Sequence, residues 1–364
     1  MKIVMTGGHH TSALPVIQLL QKHNNIQIEW FGAINSLKGD KNKGLEYKEI
    51  TALGITFHQL KAGKFYRTFD IKRLIRIPFG FFQALYLLTK VRADLIFSFG
   101  GYLAVPTVLA GWFLGIPCIT HEQTVVSGWA NKLISHFASK ILITWPSSAS
   151  FFPQDKTILT GIPLRPEIFK QTSNSFEINS QLPTVYLTGG KTGSHKLNMA
   201  VLEKMPEILS VCNLIHQCGD YSETNDFEKL QNKFSQIKTN TIGTYHLRKF
   251  VMSEEIGEAF GKASLVIARS GAHIVYDLAA LKKPSLLIPI PWVSHNEQYK
   301  NAEVLKEAGI AEILEEKDLT PETLFMHTKE MLHNLSNYQK TKSFDFIKED
   351  AAQLIVNEIL KFRI

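Results

Sequence analysis

The sequence predicts an α/β protein of two parallel, doubly wound domains facing a cleft, and three observations carry that prediction. Short apolar runs alternate with longer amphipathic stretches, the pattern of strands and crossover helices. One opening device occurs twice: "KIVMTGGHH" from residue 2 and "VYLTGGKTGSHKLN" from residue 185 both run from an apolar strand through a glycine pair toward a helix. The chain has 364 residues, 45% hydrophobic and 20% charged, enough for two sizeable cores.

Residues 2–5 read as a buried strand and 12–22 as a helix, so Gly7, Gly8, His9 and His10 form a tight strand-to-helix turn. Its unpaired N–H groups and the helix dipole favour an anion or a partly negative oxygen, and the bare glycines let a ligand approach the backbone. A plain βα turn is the alternative. Further strands are expected at 27–31, 94–98, 116–120 and 140–144. No charged residue stands between Asp94 and His121, a length that can cross a bilayer. Gly100, Gly101, Pro106, Gly111, Gly115 and Pro117 instead divide it into strand, loop, short helix and strand.

Within "YRTFDIKRLIRIPFGFFQALYLLTKVR", Lys72, Arg73, Arg76, Lys90 and Arg92 are mixed with Leu74, Ile75, Ile77, Phe79, Phe81, Phe82 and Leu85. That composition fits either an interfacial helix on an anionic membrane or a core helix with a basic outer end. Periodicity fades in "ILTGIPLRPEIFKQTSNSFEINSQLP", with Pro163, Pro166 and Pro183, so this is the expected linker. The pattern then restarts with strands at 184–188, 212–216, 264–268 and 284–288. The expected domains are 1–162 and 163–345, with a C-terminal helix in 346–364 packing back on the first.

The net charge is +7, which suits nucleic acid or anionic lipid. No zinc-finger spacing, RNP-like strand or basic heptad region is visible, so no nucleic-acid partner is expected. Cys118, Cys212 and Cys218 form no metal-ligand or redox spacing, which suggests a reducing compartment, and "MKIVMTGG" reaches its glycines before a signal h-region is complete. A cytoplasmic location is expected.

In open α/β sheets ligands gather beyond the carboxyl ends of the strands, so the loops there are the informative segments. "GGYLAVP", "LGIPCITHEQ", "ARSGAHIVYDLAALKKP" and "NEQYKNA" occur in the order and spacing of one family. On these the chain resembles the undecaprenyl-linked muramyl-pentapeptide N-acetylglucosaminyltransferases, over nearly its whole length. The resemblance implies a GT-B fold, a UDP-GlcNAc donor held mainly by the C-terminal half, and a lipid-borne acceptor at the N-terminal half. It also implies inversion at the anomeric carbon with no metal or other cofactor, and peripheral attachment to the inner face of the cell membrane.

The chain departs from the family's pattern in places: the first loop lacks a glycine pair, Ser12 replaces proline, Thr124 and Ile162 replace asparagines, and Asp277 replaces glutamate.

Glycosyl transfer needs a base for the attacking hydroxyl, a way to carry charge on the departing diphosphate, and a grip on the nucleotide. His9 matches the histidine of the family's first loop and can titrate near neutral pH; capping the helix is its alternative. Glu122 is the next candidate base. Ser270, Gly271 and Ala272 open a helix whose N–H groups at His273 and Ile274 can point at a diphosphate. Asp277 resembles the ribose carboxylate, with a solvated or capping role as the alternative. Arg165 can meet a phosphate or the base edge, or be a surface arginine.

Gln298 and Asn301, three apart on one helical face, are implied to grip the GlcNAc. Lys191, with Thr192 and Gly193, forms a second glycine loop suited to donor phosphates or to an acceptor diphosphate. Gly7, Gly8, Gly101, Tyr102, His121, Gln123 and Thr124 are the implied acceptor residues. For "HEQ" a supporting network, in which His121 and Glu122 bond each other, is the other reading. A transferase with another lipid acceptor, a UDP-GlcNAc epimerase and a non-catalytic nucleotide-sugar-binding protein are the alternative functions.

Overall fold

Apolar runs that can be buried on both faces become the inner strands of two parallel sheets. A computed structural model describes residues 1–6, 10–34, 44–61, 71–190, 192–221, 223–338 and 344–362, apart from the side chains of 71–77 and 294. Its internal contacts divide the chain into Met1–Leu164 with Lys348–Ile364, and Arg165–Ile347.

The first unit contains β1 (Lys2–Thr6), α1 (His10–Leu20), β2 (Gln27–Gly32), α2 (Leu45–Ala52), β3 (Thr56–Gln59), α3 (Ile71–Val91), β4 (Leu95–Ser98), α4 (Ala104–Phe113), β5 (Cys118–Glu122), α5 (Trp129–Ser135), β6 (Lys140–Ile143) and β7 (Thr157–Leu159). These strands lie in the order β3-β2-β1-β4-β5-β6-β7, all parallel. Successive strand residues face opposite ways. Ile3 and Met5 therefore pack with Val16 and Ile17 of α1, while Val4 packs with Ala84, Leu88 and Val108 from the helices on the other face.

The second unit contains β8 (Thr184–Thr188), α6 (His195–Val211), β9 (Asn213–Gln217), α7 (Asp226–Ile237), β10 (Tyr245–Arg248), α8 (Ser253–Lys262), β11 (Leu265–Ala268), α9 (Ala272–Leu281), β12 (Ser285–Leu287), α10 (Glu297–Glu307), β13 (Ala311–Ile313) and α11 (Pro321–His333). Its sheet is β10-β9-β8-β11-β12-β13, again parallel. Val185, Leu187 and Leu214 meet Leu197, Val201 and Leu230 in its core. The last helix, α12 (Ala351–Leu360), lies against α1.

In each unit the strand order reverses beside the first strand, between β1 and β4 and between β8 and β11. Helices leave a crevice at such a switch point, on the carboxyl side of the strands. The segments following β1, β4, β8 and β11 are thus the places to look for chemistry.

Several boundaries differ from expectation. The first helix begins at His10, not at residue 12. The strand expected at 116–120 is Cys118–Glu122, because Pro117 has no N–H for the ladder and enters it only as acceptor from the Ile96 amide. β3, β7, β10 and β13 were not legible as strands. They lie at or near sheet edges and are only partly buried, so they carry no continuous apolar run.

Candidate active site

In the second unit the turn after β11 leads directly into α9, with Gly271 as N-cap. A Cβ placed at Gly271 would meet no atom within 4 Å, so the space beside this residue at the helix N-terminus is open. Ser270 is fully buried, and its Oγ has no hydrogen-bond partner among the described residues. The Ser270 carbonyl accepts from Asn301 Nδ2 at 3.2 Å, and Gln298 Oε1 accepts from the Ile290 amide at 3.0 Å. The two amides expected to grip a sugar thus each have one half tied to backbone, Asn301 to the β11–α9 turn and Gln298 to the segment after β12. Ala272, His273 and Ile274 form the first turn of α9.

One turn further, Asp277 is buried and receives Arg165 Nη2 on Oδ2 at 3.1 Å. Burial raises its carboxyl above the usual aspartate range, and the Arg165 cation opposes that shift. Sequence reading assigned these two residues to separate contacts; the structure pairs them.

The second glycine loop is built by close approach. Gly193 has φ +76°, and a Cβ there would collide with the Cys218 carbonyl, so two backbones pack with no side chain between them. Ser194 caps α6 and accepts from Arg269 Nη2 at 2.6 Å. Arg269 is itself buried, with Glu316 as its ion-pair partner. Neither residue was singled out from the sequence, where an arginine and a glutamate so far apart carry no local signal. Lys191 lies outside the described residues.

In the first unit Gly7, Gly8 and His9 also lie outside the described residues. His10 opens α1, and its Nε2 is 2.7 Å from Glu49 Oε2 on α2. After β4, Gly101 takes φ +80° and Tyr102 follows, its phenol pushed up by burial and then by the charge of Glu46.

His121 and Glu122 are the last residues of β5, so their side chains leave opposite faces. His121 Nε2 meets the Gly161 carbonyl at 2.9 Å. Glu122 accepts from the Thr124 amide at 3.1 Å, the Gly128 amide at 3.4 Å and Asn131 Nδ2 at 3.1 Å, with the Thr124 hydroxyl 2.9 Å away. In the alternative reading of this stretch His121 and Glu122 bond each other; here each side chain meets a different group. Burial raises the Glu122 carboxyl despite those four donors, and the residue is only 4% exposed. Gln123 is buried too, with both amide atoms unpartnered among the described residues.

The helix expected between residues 72 and 92 is α3, and the calls on side chains 72–77 fall outside the description. Beyond them it has two faces: Ala84, Leu88 and Val91 enter the core, while Phe79, Phe82 and Tyr86 are exposed. Phe81 is half-buried and packs edge-on against Phe113 of α4. Trp112 and Phe113 on α4, and Trp129 and Leu133 on α5, are also exposed. Lys132 sits 5.2 Å from the Phe151 ring and 5.9 Å from that of Trp129. No helix among the described residues is long and apolar enough to cross a membrane.

Two parallel sheets, each with a switch point, and an open helix N-terminus beside a buried carboxylate define a GT-B type nucleotide-sugar enzyme. The glycosyltransferase family 28 N-terminal domain matches residues 3–143 and the C-terminal domain of that family matches 184–356. The chain is 33% identical over 371 residues, 98% of its length and 99% of the relative's, to the UDP-N-acetylglucosamine–N-acetylmuramyl-(pentapeptide) pyrophosphoryl-undecaprenol N-acetylglucosamine transferase 2 of Bacillus thuringiensis subsp. konkukian. It is 31% identical over 377 residues, all of its length and 99% of the relative's, to the transferase of that name from Clostridium kluyveri.

Among solved structures, Acinetobacter baumannii MurG superposes with a TM-score of 0.71 at 24% identity, covering 99% of this chain and all of that one. A UDP-GlcNAc 2-epimerase from Neisseria meningitidis gives 0.68 at 16% identity, with the same coverage. The chain belongs to glycosyltransferase family 28, among its muramyl-pentapeptide N-acetylglucosaminyltransferases.

Proposed function

We propose that the chain transfers GlcNAc from UDP-GlcNAc to the muramyl sugar of a lipid-linked pentapeptide, undecaprenyl-diphosphate-muramoyl-pentapeptide. The observation that carries this is the identity of about one third that runs through both units to a transferase of that description. Fold alone does not separate transferase from epimerase, since neighbours of both kinds superpose almost equally well.

On this reading the diphosphate lies at the N-terminus of α9, where Gly271 leaves open space and the helix dipole carries the leaving charge without a metal. Asp277 takes the ribose hydroxyls, and Gln298 and Asn301 face the sugar. His9 takes the proton of the acceptor hydroxyl as that oxygen bonds the anomeric carbon. The bond to UDP breaks on the opposite face, its electron pair leaving on the β-phosphate oxygen, so the configuration inverts. Glu122, enclosed by its own loop, holds residues 123–131 in place for Gln123 and the acceptor. The exposed aromatic residues of α3, α4 and α5, with Lys90 and Lys132 beside them, rest on the anionic inner face of the cell membrane.

The test is incubation with labelled UDP-GlcNAc in EDTA, with the lipid-linked muramyl pentapeptide, with a diacylglycerol, or with no lipid. Label on the pentapeptide lipid alone is the expected result. Label on the diacylglycerol would move the chain to a different lipid acceptor, and UDP release with no lipid consumed would make it an epimerase.

A further inference from the structure

The segment that begins the second unit is fastened along α8 at successive positions. A Cβ at Gly257 would collide with the carbonyl oxygens of Glu167 and Lys170, so the backbone of the 3₁₀ turn Pro166–Phe169 lies directly on the helix. Beside it the buried Glu258 accepts from the Ser173 hydroxyl at 2.5 Å and from the amides of Ser175 and Phe176 at 2.7 and 3.1 Å. Lys262 Nζ closes the group at 2.6 Å. This clamp sets the start of the segment, which is Arg165.

From that fixed backbone the guanidinium reaches α9 and meets one oxygen of Asp277, through a single nitrogen. The Asp277 side chain is 7% exposed and that of Arg165 is 37% exposed. Tyr186, buried on β8 close enough to feel both charges, has its phenol pushed up to about 12, mainly by burial. A carboxylate in such surroundings takes up a proton unless a cation stays beside it. A protonated carboxyl gives up part of its acceptor capacity, so ribose hydroxyl donors favour the ionised form. Arginine is charged at every working pH, so it can hold Asp277 in that form. If the guanidinium left for a phosphate, Asp277 would be stranded without its ion-pair partner.

We infer that Arg165 is a positioning residue for ribose recognition, acting through Asp277 and not through the diphosphate. The inference rests on the UDP-GlcNAc reading. It separates two tasks within the donor site: the α9 N-terminus takes the phosphates, and the Arg165–Asp277 pair, carried by two different elements, takes the sugar of the nucleoside.

Calorimetry with uridine, UDP and 2′-deoxy-UDP tests it in the full chain, on Arg165→Ala, Arg165→Lys, Asp277→Ala and the Arg165→Ala/Asp277→Ala double variant. Arg165→Ala should weaken uridine and UDP by the same factor, about tenfold or more, and 2′-deoxy-UDP by less. In the Asp277→Ala background the same substitution should add nothing. Arg165→Lys keeps the charge and should recover part of the loss, which guards against reading a folding defect as a binding one. A penalty confined to UDP, with uridine unchanged, would overturn the inference and place Arg165 on the phosphates. So would a penalty that persists in full without Asp277. Failure of the unaltered chain to bind either uridine or UDP would overturn the nucleotide-sugar reading itself.

Discussion

Glu122, the last residue of β5 in the first unit, and Asp277, on α9 after β11 in the second, are both buried carboxylates, and they are satisfied in opposite ways. Among the described residues Glu122 is met by neutral groups only, the amides of Thr124 and Gly128, the Thr124 hydroxyl and Asn131 of α5, whereas Asp277 has one cation and a single bond to it. In both, burial still holds the carboxyl above its usual range. Glu258, on α8, has a lysine as well as a hydroxyl and two amides, and there the balance reverses: burial pushes it up, but Lys262, Ser173, Ser175 and Phe176 bring it down to about 2. Neutral donors alone, or one cation alone, do not offset desolvation here. The comparison teaches a division of labour. Glu122 spends both oxygens internally and organises a loop, while Asp277 keeps one oxygen outside its ion pair, where a ligand can use it.

The largest expected effect tests whether Glu122 is turned inward. If it is, the base is elsewhere, and His9→Ala should lower turnover by roughly 100-fold to 10,000-fold with donor affinity little changed. His10→Ala should do far less, since His10 is tied to Glu49. Glu122→Gln, which keeps the shape and part of the acceptor capacity, should retain most activity. Steady-state rates on the lipid acceptor decide between them; a dead Glu122→Gln beside an active His9→Ala would reverse the comparison.

Next comes pH. The Glu258 carboxyl lies near 2 in the folded chain against a usual 4.5, so the unfolded state binds the proton more tightly. Its contribution, about 3 kcal/mol, is present in full above the unfolded value and disappears as pH falls from about 4.5 toward 2. Denaturant unfolding of wild type and Glu258→Gln should therefore differ most near neutrality and converge in acid. Curves that stay parallel down to the lowest pH would remove Glu258 from the sharp end of the comparison.

The two carboxylates should then part company on truncation. Glu122→Ala leaves buried donors unpaired and should cost about 2–3 kcal/mol of stability, with UDP binding unchanged. Asp277→Ala should weaken UDP binding by about 1.5–3 kcal/mol. Chemical denaturation and calorimetry on both variants check this, and the contrast fails if Glu122→Ala loses UDP.

The smallest effect concerns the exposed face of the first unit. Phe79→Ser with Phe82→Ser should reduce sedimentation with anionic vesicles and leave UDP affinity intact, and salt should release part of the bound wild type. Phe81 is left out, because it packs against Phe113 and its loss would disturb α3 and α4. Unchanged sedimentation would mean that the aromatic face serves something other than lipid.

The sequence by itself determined the alternation of inner strands and helices, the second glycine turn at Gly193, and the helix opening at Gly271, because each is written in neighbouring residues. Strands buried on both faces must be apolar throughout, and a turn that brings backbones together must be glycine. The edge strands were beyond it, since partial burial relaxes the demand for apolar residues. So was the orientation of α3, which has aromatic residues on the face toward Phe113 and on the face toward solvent. Tertiary structure alone decided the charged partnerships: Arg165 with Asp277, Arg269 with Glu316, and Glu258 with the segment after Phe169. Each joins residues far apart in the chain, and no local periodicity records which cation will stand beside which buried carboxylate. That choice belongs to the packing of the helices, which brings the groups together once the sheets have formed.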